Sequence, residues 1–171
     1  MPKPIVDNIC DELRFNAIFK KYAKDLNNFL FYKFGDELDP KDKVQDAFIK
    51  LWQNCKTVSP DKAKSYLFTV ANNMMLNAVA HQKVVFKYKK TEFRSYTNES
   101  PEFIMEEQEY HEKLKSALAN LTEAQRTAFM MNRVEGKKFK EIAVLLDIST
   151  KAVEKRIYGA LKKLREEIDE L

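Results

Sequence analysis

Hydrophobic residues along the chain recur mostly at intervals of three and four, the spacing of one face of an α-helix. Near the C-terminus these positions are Ile142, Leu145, Leu146, Ile148, Val153, Ile157, Leu161 and Leu164. The spacing predicts two short helices joined by a tight turn, in which Ser149 or Thr150 can accept a hydrogen bond from the free amides of the second helix. Two crossed helices joined by so short a turn form a helix-turn-helix.

The polar face of the second predicted helix carries groups that hydrogen-bond base edges and phosphates in a major groove. They are Thr150, Lys151, Glu154, Lys155 and Tyr158. Residues 137–165 hold nine lysines and arginines against three acidic residues, a surplus of six in a chain whose formal net charge is +4. A charged helical face is commonly only a solvated surface, but this local concentration of positive charge favours DNA binding.

Three further amphipathic stretches predict one helical domain over residues 8–83. The first spans residues 11–33, the second begins at Pro40 after the candidate N-cap Asp39, and the third spans 63 to about 83. The apolar stripe of the second is Val44, Ala47, Phe48, Leu51 and Trp52, and that of the third is Tyr66, Leu67, Val70, Met74 and Val79. Three helices of this length can bury a shared core.

A polar segment separates this domain from the C-terminal one. Residues 84–104 include the run TNESPE, which favours a linker, although VVFKYKK also permits a short strand at 84–88. A helical pattern then resumes, and Thr122 with Gln125 predicts a capping box at the start of a further helix. The expected fold is all-α, with the domain above and a second one at 105–171, the latter a helix-turn-helix of homeodomain-like or winged-helix-like type without a wing.

Composition narrows the possible functions. No run approaches about 18 consecutive apolar residues, so no segment is expected to insert into a membrane. The N-terminal sequence MPKPIVDNICDELRF has acidic residues within its first dozen positions and no apolar signal core, so a cytoplasmic protein is expected. Cys10 and Cys55 have no CxxC or Cys/His cluster around them and are interpreted as reduced packing residues in a cytosol.

The sequence contains no recognisable catalytic or metal-binding constellation. His81 and His111 have no partner at metal-ligand spacing, so neither a metal nor a cofactor is expected. Paired carboxylates such as Glu106 and Glu107 fit solvated helix ends, and no Ser/His/Asp set or glycine-rich phosphate loop is present. An enzymatic function is therefore disfavoured.

Two long runs resemble the domains of one known family. LTEAQRTAFMMNRVEGKKFKEIAVLLDISTKAVEKRIYGALKKLREEI resembles the promoter −35-reading domain of bacterial RNA polymerase sigma factors. GDELDPKDKVQDAFIKLW, followed by KSYLFTVANNMMLNAVAHQK, resembles the core-binding and −10-reading domain of the same family. Two such domains joined by a short linker are similar to the extracytoplasmic-function (ECF) group of the sigma-70 family, and the resemblance covers about residues 10–83 and 105–168.

The resemblance implies which residues contact the −35 element. The family's recognition helix, matching 150–164 here, enters the major groove. Expected base or phosphate contacts are Ser149, Thr150, Lys151, Glu154, Lys155 and Arg156, with Arg126 and Lys138 or Lys140 reaching flanking phosphates. Asp147 stands where the family often has the glycine of the turn, so the resemblance implies an aspartate at a positive φ.

The N-terminal half carries the other implied contacts. The loop at 56–64 and the following helix match the family's −10 reader, in which a non-template base is flipped out as the duplex opens; the expected contacts are Lys56, Ser59, Asp61, Lys64 and exposed Asn72 and Asn73. The helix at 42–52 matches the one that docks on the clamp-helix coiled coil of the polymerase, through Asp42, Gln45, Asp46, Lys50 and Trp52. Asn72 stands where many family members have arginine.

The resemblance also implies partners. They are promoter DNA, core RNA polymerase through its clamp helices and flap, and an anti-sigma factor, which in this family is often membrane-anchored. An alternative is an ordinary helix-turn-helix regulator of the response-regulator effector type. That alternative predicts a receiver domain of alternating strands and helices, whereas residues 8–83 have helical spacing.

Overall fold

The computed structural model describes residues 7–82 and 101–168, with the backbone alone at 82 and 101–106. Within these ranges the chain forms one short 3₁₀-helix, no strand, and seven α-helices: α1 (Glu12–Phe34), α2 (Pro40–Gln53), α3 (Ala63–Gln82), α4 (Pro101–Asn120), α5 (Glu123–Arg133), α6 (Phe139–Leu146) and α7 (Thr150–Glu167). Contacts between Cα atoms divide the chain into two compact units, unit 1 at residues 1–85 and unit 2 at 86–171. The predicted all-α fold is confirmed.

Short-range hydrogen bonds set the boundary between α1 and α2. Gly35 ends α1 at φ 82°, and its N–H donates to the Phe31 carbonyl oxygen at 2.8 Å. Asp39 caps α2, its Oδ1 accepting from the backbone N–H of Asp42 at 3.3 Å, and Pro40 follows in the first turn. Proline suits that position because the first amides of a helix have no intrahelical partner. The predicted start of α2 is confirmed.

Helices α1, α2 and α3 pack against one another around an apolar core. Its fully buried side chains include Leu26, Leu30, Leu51, Leu67, Ala71 and Met75. Burying one such leucine contributes about 1.5–3 kcal/mol. The predicted inward stripe of α3 is partly wrong, since Val70 and Met74 are half-buried while Ala71 and Met75 face the core. Because α3 is apolar around most of its circumference, spacing alone does not identify its inward face.

Cys10 and Cys55 are joined by a disulfide, so their interpretation as reduced packing residues is wrong for this structure. Their Cα atoms lie 4.9 Å apart although 45 positions separate them in the sequence. Cys10 lies just before α1 and Cys55 just after α2. They meet because α2 folds back along α1, and no local sequence pattern reports that meeting.

In unit 2, α7 packs against α4, α5 and α6. One core cluster consists of Ala117, Leu118, Leu121, Ala160, Leu164 and Ile168. The predicted capping box of α5 is confirmed: Thr122 Oγ1 accepts from the Gln125 backbone N–H at 3.2 Å, and Gln125 Oε1 accepts from the Thr122 backbone N–H at 3.3 Å. Gly159 allows α5 and α7 to approach closely, since a Cβ there would lie 2.8 Å from Gln125 Nε2.

The segment between the two units is only partly described. Helix α4 begins at Pro101, inside the 84–104 segment predicted as a linker. The earlier part of that segment, including the possible strand at 84–88, lies outside the described residues. No described helix combines the length and the apolar content needed to cross a membrane.

Candidate nucleic-acid interface

The turn between α6 and α7 is held by hydrogen bonds at both helix ends. Asp147 adopts a left-handed conformation (φ 55°, ψ 47°), and its N–H and that of Ile148 donate to the Ala143 carbonyl oxygen, at 3.0 Å for Ile148. Ser149 caps α7, its Oγ accepting from the Ala152 N–H at 3.1 Å. These bonds satisfy groups that helix ends otherwise leave free. The helix-turn-helix is present, with an aspartate at positive φ as expected.

Helix α7 has one buried face and one exposed face. The buried face consists of Val153, Ile157, Ala160 and Leu164, and the exposed face includes Thr150, Lys151, Glu154, Lys155 and Tyr158. The exposed set is the one that the hydrophobic spacing predicts. Because residues three and four apart are neighbours on a helix, Lys151, Glu154 and Lys155 form one continuous surface.

The two lysines of this surface have no ion-pair partner among the described residues. The two lysines of α4 differ, since Lys113 Nζ lies 3.6 Å from Glu109 Oε1 and Lys115 Nζ lies 3.3 Å from Glu112 Oε1. The positive charge of Lys151 and Lys155 is therefore available to an external anion.

The other residues expected at the −35 element differ in how exposed their side chains are. Ser149 is exposed but its hydroxyl oxygen caps α7, and Arg156 is half-buried. Lys138 is exposed, its backbone N–H donating to Glu141 Oε2 at 2.7 Å while the side chain stays at the surface. Lys140 is exposed as well. The lysines at the start of α6 and the exposed face of α7 thus lie on adjoining elements of one helix-turn-helix.

Arg126 does not fit its expected role. Its side chain is buried, at 3% exposure, and its Nη1 donates to the Leu121 carbonyl oxygen at 3.2 Å. That bond satisfies a carbonyl beyond the end of α4, so Arg126 joins α4 to α5. A guanidinium in this position cannot reach a phosphate without leaving the core. The expected phosphate contact of Arg126 is therefore corrected to an internal one.

In unit 1, the exposed stripe of α2 combines polar and apolar side chains. It consists of Asp42, Gln45, Ile49 and Trp52, three or four positions apart. Ile49 is 54% exposed and Trp52 45% exposed, although hydrophobic spacing places Trp52 on the buried stripe. The Trp52 ring packs edge-on against Phe15 of α1, with centroids 5.0 Å apart. Ile49 is absent from the sequence prediction, although it lies four positions after Gln45 and three before Trp52, the spacing of one helical face.

Further charged side chains of α2 lie beside this stripe. Lys43 Nζ lies 3.3 Å from Asp42 Oδ2 and 4.0 Å from Asp46 Oδ2. Asp46 is half-buried and Lys50 is exposed. Lys43 of the same helix thus offsets part of the negative charge on the predicted polar surface of α2.

The loop after α2 contains a 3₁₀-helix at Pro60–Lys62, within the stretch predicted as a plain loop. Lys56 and Asp61 are exposed, whereas Ser59 and Lys64 are half-buried. A hydrogen bond from the Ser59 side chain lowers the pKa of Asp61 below its usual value. This hydrogen bond links two of the residues expected to contact the −10 element.

The adjacent asparagines Asn72 and Asn73 of α3 differ in exposure. Asn73 is exposed as expected, but Asn72 is half-buried, and its Oδ1 accepts a hydrogen bond from Lys33 Nζ of α1 at 2.7 Å. The expectation of an exposed Asn72 is therefore wrong. The sequence contains no sign of this pair, because its members are 39 positions apart. Among the described residues, no cluster of three or more His, Cys, Asp or Glu side chains could hold a metal.

Two family models match the two halves of the chain. Sigma-70 region 2 matches residues 18–84, and Sigma-70, region 4 matches residues 111–164. The first match covers α2 and α3, and the second covers the helix-turn-helix.

Known proteins resemble the chain along most of its length. It is 22% identical to the ECF RNA polymerase sigma factor SigE of Mycolicibacterium smegmatis, over 88% of this chain and 60% of the relative. It is 28% identical to the RNA polymerase sigma factor CarQ of Myxococcus xanthus, over 92% of this chain and 90% of the relative. Among solved structures, the chain is similar to the sigma factor RpoE from Bartonella quintana, which was solved in complex with the anti-sigma factor NepR. The match has a TM-score of 0.55 and 19% sequence identity, and it covers 91% of this chain and 97% of the RpoE chain. The chain belongs to the sigma-70 family, in its extracytoplasmic-function group.

Proposed function

We propose that this protein binds core RNA polymerase and directs transcription initiation at particular promoters. Unit 2 reads the −35 element through α7, and unit 1 binds the core enzyme and opens the duplex at the −10 element. The observation that carries the proposal is the exposed lysine surface of α7, which has no ion-pair partner within 7–82 and 107–168, on a well-capped helix-turn-helix. Since a sigma factor acts where the polymerase acts, its location is the cytoplasm.

Contact with the −35 element rests on charge and geometry. A helix fits the major groove of B-DNA, and its outer face then lies against base edges. Lys151 and Lys155 are one turn apart, about 6 Å between Cβ atoms, so both can reach one groove. Each lysine that neutralises a phosphate releases counterions, which makes binding dependent on salt. Glu154 between them can accept from a cytosine amino group.

Binding to core polymerase rests on the exposed stripe of α2. Large apolar side chains at the surface commonly mark a protein interface, and aromatic residues are enriched there. Ile49 and Trp52 supply the apolar part, and Asp42 and Gln45 continue the stripe with polar groups. A stripe at three- and four-residue intervals fits a helical partner, which agrees with docking on the clamp-helix coiled coil.

Contact with the −10 element rests on the loop at 56–64 and on α3. Extruding a base costs a few kcal/mol, which pocket contacts and backbone contacts must offset. Exposed Lys56 can contact the backbone, and Asn73 can hydrogen-bond a base edge. The exposed carboxylate of Asp61 can accept from a base amino group. Asn72 contributes through its amide NH₂ group, because its oxygen is bonded to Lys33.

We also infer a protein partner that holds this chain inactive. The support is the solved structure of RpoE with the anti-sigma factor NepR. An ordinary helix-turn-helix regulator is less well supported, since the regular elements of unit 1 within its described residues are all helices and unit 1 matches Sigma-70 region 2.

The test of core binding uses one changed residue and one matched control. Ile49→Lys places a charge on the proposed interface, and Leu76→Lys makes the same change on α3, where Leu76 is 46% exposed. Both positions are exposed, so both variants should fold. Ile49→Lys is expected to weaken binding to core polymerase at least tenfold in a fluorescence titration, with Leu76→Lys unchanged. Failure of wild-type protein to bind core polymerase would rule the proposal out.

A further inference from the structure

We infer that Cys10 and Cys55 form a reversible dithiol–disulfide couple, a redox modification site that links the start of α1 to the end of α2 and stabilises unit 1 when closed. The observation is the disulfide itself, between residues 45 positions apart. The expectation that the bond opens and closes rests on the proposed function, because that function places the protein in the cytoplasm, where thiols are kept reduced. Disulfides in that compartment are typically transient and redox-sensing.

The two cysteines are brought together by contacts other than the sulfur–sulfur bond. The N–H of Ile9 donates to the Cys55 carbonyl oxygen at 3.2 Å, and the Ile9 side chain is fully buried. Asn8 Oδ1 accepts from the Cys10 N–H at 3.1 Å. Residues 7–9 are held in turn by Arg14, whose Nη1 donates to Asp7 Oδ1 at 2.7 Å and to the Asn8 carbonyl oxygen at 3.0 Å.

Cys55 is held as firmly from its own side. Its N–H donates to the Trp52 carbonyl oxygen at 3.1 Å, and the neighbouring Asn54 Nδ2 donates to the Lys50 carbonyl oxygen at 2.8 Å and to the Tyr66 hydroxyl at 3.1 Å. Because these hydrogen bonds do not need the disulfide, the thiols remain neighbours after reduction. Proximity of this kind gives a high effective concentration, so the bond closes again readily once an oxidant is present.

The position of the couple decides what it affects. Cys55 follows α2, whose last turn carries Trp52 and Lys50 of the proposed core-binding surface. Cys55 also immediately precedes the loop at 56–64 proposed to contact the −10 element. Closing the bond restricts the unfolded chain across the whole α1–α2 hairpin, which favours the folded state. Oxidation therefore raises the stability of unit 1 and reduction lowers it.

The exchange chemistry balances with ordinary cellular thiols. In closure, one cysteine thiolate attacks a low-molecular-weight disulfide, glutathione disulfide, and displaces one glutathione thiolate; the second cysteine then attacks the mixed disulfide and displaces the other. Two electrons pass to the glutathione pair. Opening is the reverse reaction, with a dithiol protein or glutathione as reductant. Cys10 is half-buried whereas Cys55 is 9% exposed, so Cys10 is the more accessible of the two residues.

The experiment uses the full chain, whose two cysteines and single tryptophan make its readouts unambiguous. The protein is equilibrated in glutathione buffers of increasing oxidised fraction, its free thiols are alkylated, and its mass is measured. We expect two alkylated thiols in reduced buffer and none in oxidised buffer, with a monomeric product and full reversal. Thiols that remain alkylatable in every buffer, or a bond between two chains, would overturn the inference.

Stability is read from the fluorescence of Trp52, which lies in unit 1. Melting of the oxidised form is expected about 10 °C above that of the reduced form, and Cys10→Ser and Cys55→Ser should melt alike in both buffers. Equal melting of oxidised and reduced wild-type protein would contradict the stabilising role. None of these readouts uses DNA or polymerase, so the couple fails or survives independently of the proposed function.

A second arm connects the couple to transcription. At a temperature between the two melting points, reduced wild-type protein should support less run-off transcription with core polymerase than oxidised protein. Cys10→Ser should be insensitive to the buffer at the same temperature. A wild-type protein whose transcription is unchanged there, despite different melting, would contradict an effect on activity.

Discussion

Lys33 and Asn72 join α1 to α3 through a hydrogen bond of 2.7 Å from the Lys33 ammonium to Asn72 Oδ1. The ammonium also lies over the rings of Phe29 and Phe34, 5.7 and 5.2 Å from their centroids. Because lysine can only donate, the bonded atom of Asn72 is its oxygen, and the NH₂ group is left to donate elsewhere. The pair thus sets the orientation of an amide proposed to contact the −10 element.

The substitution Asn72→Asp separates the two roles of this amide. A carboxylate keeps an oxygen for Lys33, and the charge-assisted bond should hold or slightly raise the melting temperature. Loss of the NH₂ donor should reduce promoter opening about tenfold, since one hydrogen bond is worth about 1–1.5 kcal/mol. Opening is measured by permanganate reactivity of −10 thymines. Asn77→Asp adds the same charge at an exposed position of α3 and is the control; an equal loss there would assign the effect to charge alone.

Substitution of the α7 lysines tests the −35 surface. Lys151→Ala and Lys155→Ala should each reduce the slope of log affinity against log salt by about 1 if the lysine contacts a phosphate. The measurement is holoenzyme binding to promoter duplex across a salt series. A lysine that reads a base should instead lose affinity at one −35 position. Lys113→Ala, which removes a paired lysine of α4, is the control and should leave the slope unchanged.

Arg126→Met tests the corrected role of Arg126. Methionine replaces much of the side-chain volume but cannot donate to the Leu121 carbonyl oxygen, so unfolding free energy should fall by about 1.5–3 kcal/mol. Denaturant titration of the full chain measures this. The salt dependence of holoenzyme binding should not change. A reduced salt slope with unchanged stability would return Arg126 to the DNA interface.

Asp147→Gly tests the turn of the helix-turn-helix. A left-handed conformation costs a residue with a Cβ roughly 1–2 kcal/mol, less for aspartate, so glycine should stabilise unit 2 by about 0.5–1 kcal/mol. Asp147→Ala should destabilise it, because alanine tolerates the left-handed region less well than aspartate does. Thermal unfolding followed by circular dichroism measures both. Stabilisation by alanine would show that the φ of 55° is not what limits stability here.

Local signals predicted local structure well. The cap at Asp39, the capping box of Thr122 and Gln125, and the outward face of α7 follow from chemistry within one or two helical turns. The cap of α7 was predicted at Ser149 or Thr150, and the structure has it at Ser149. Each depends on neighbours that the sequence itself supplies, and each is present in the structure.

Side-chain contacts between residues far apart in the sequence were not predictable from local patterns. Arg126 looks like a surface cation until the end of α4 places a carbonyl beside it. Asn72 looks exposed until α1 brings Lys33 to it, and Cys10 and Cys55 look isolated until two helices fold together. The inward face of α3 was ambiguous because the helix is apolar around most of its surface.

The most direct test of the account is run-off transcription from a library of random promoters with core RNA polymerase. With the protein added, we expect transcripts from a defined set of promoters sharing one −35 and one −10 sequence, and a changed −35 preference with Glu154→Ala if Glu154 accepts from a base. Core polymerase alone should not select that set. Identical transcripts with and without the protein would contradict its role in promoter selection.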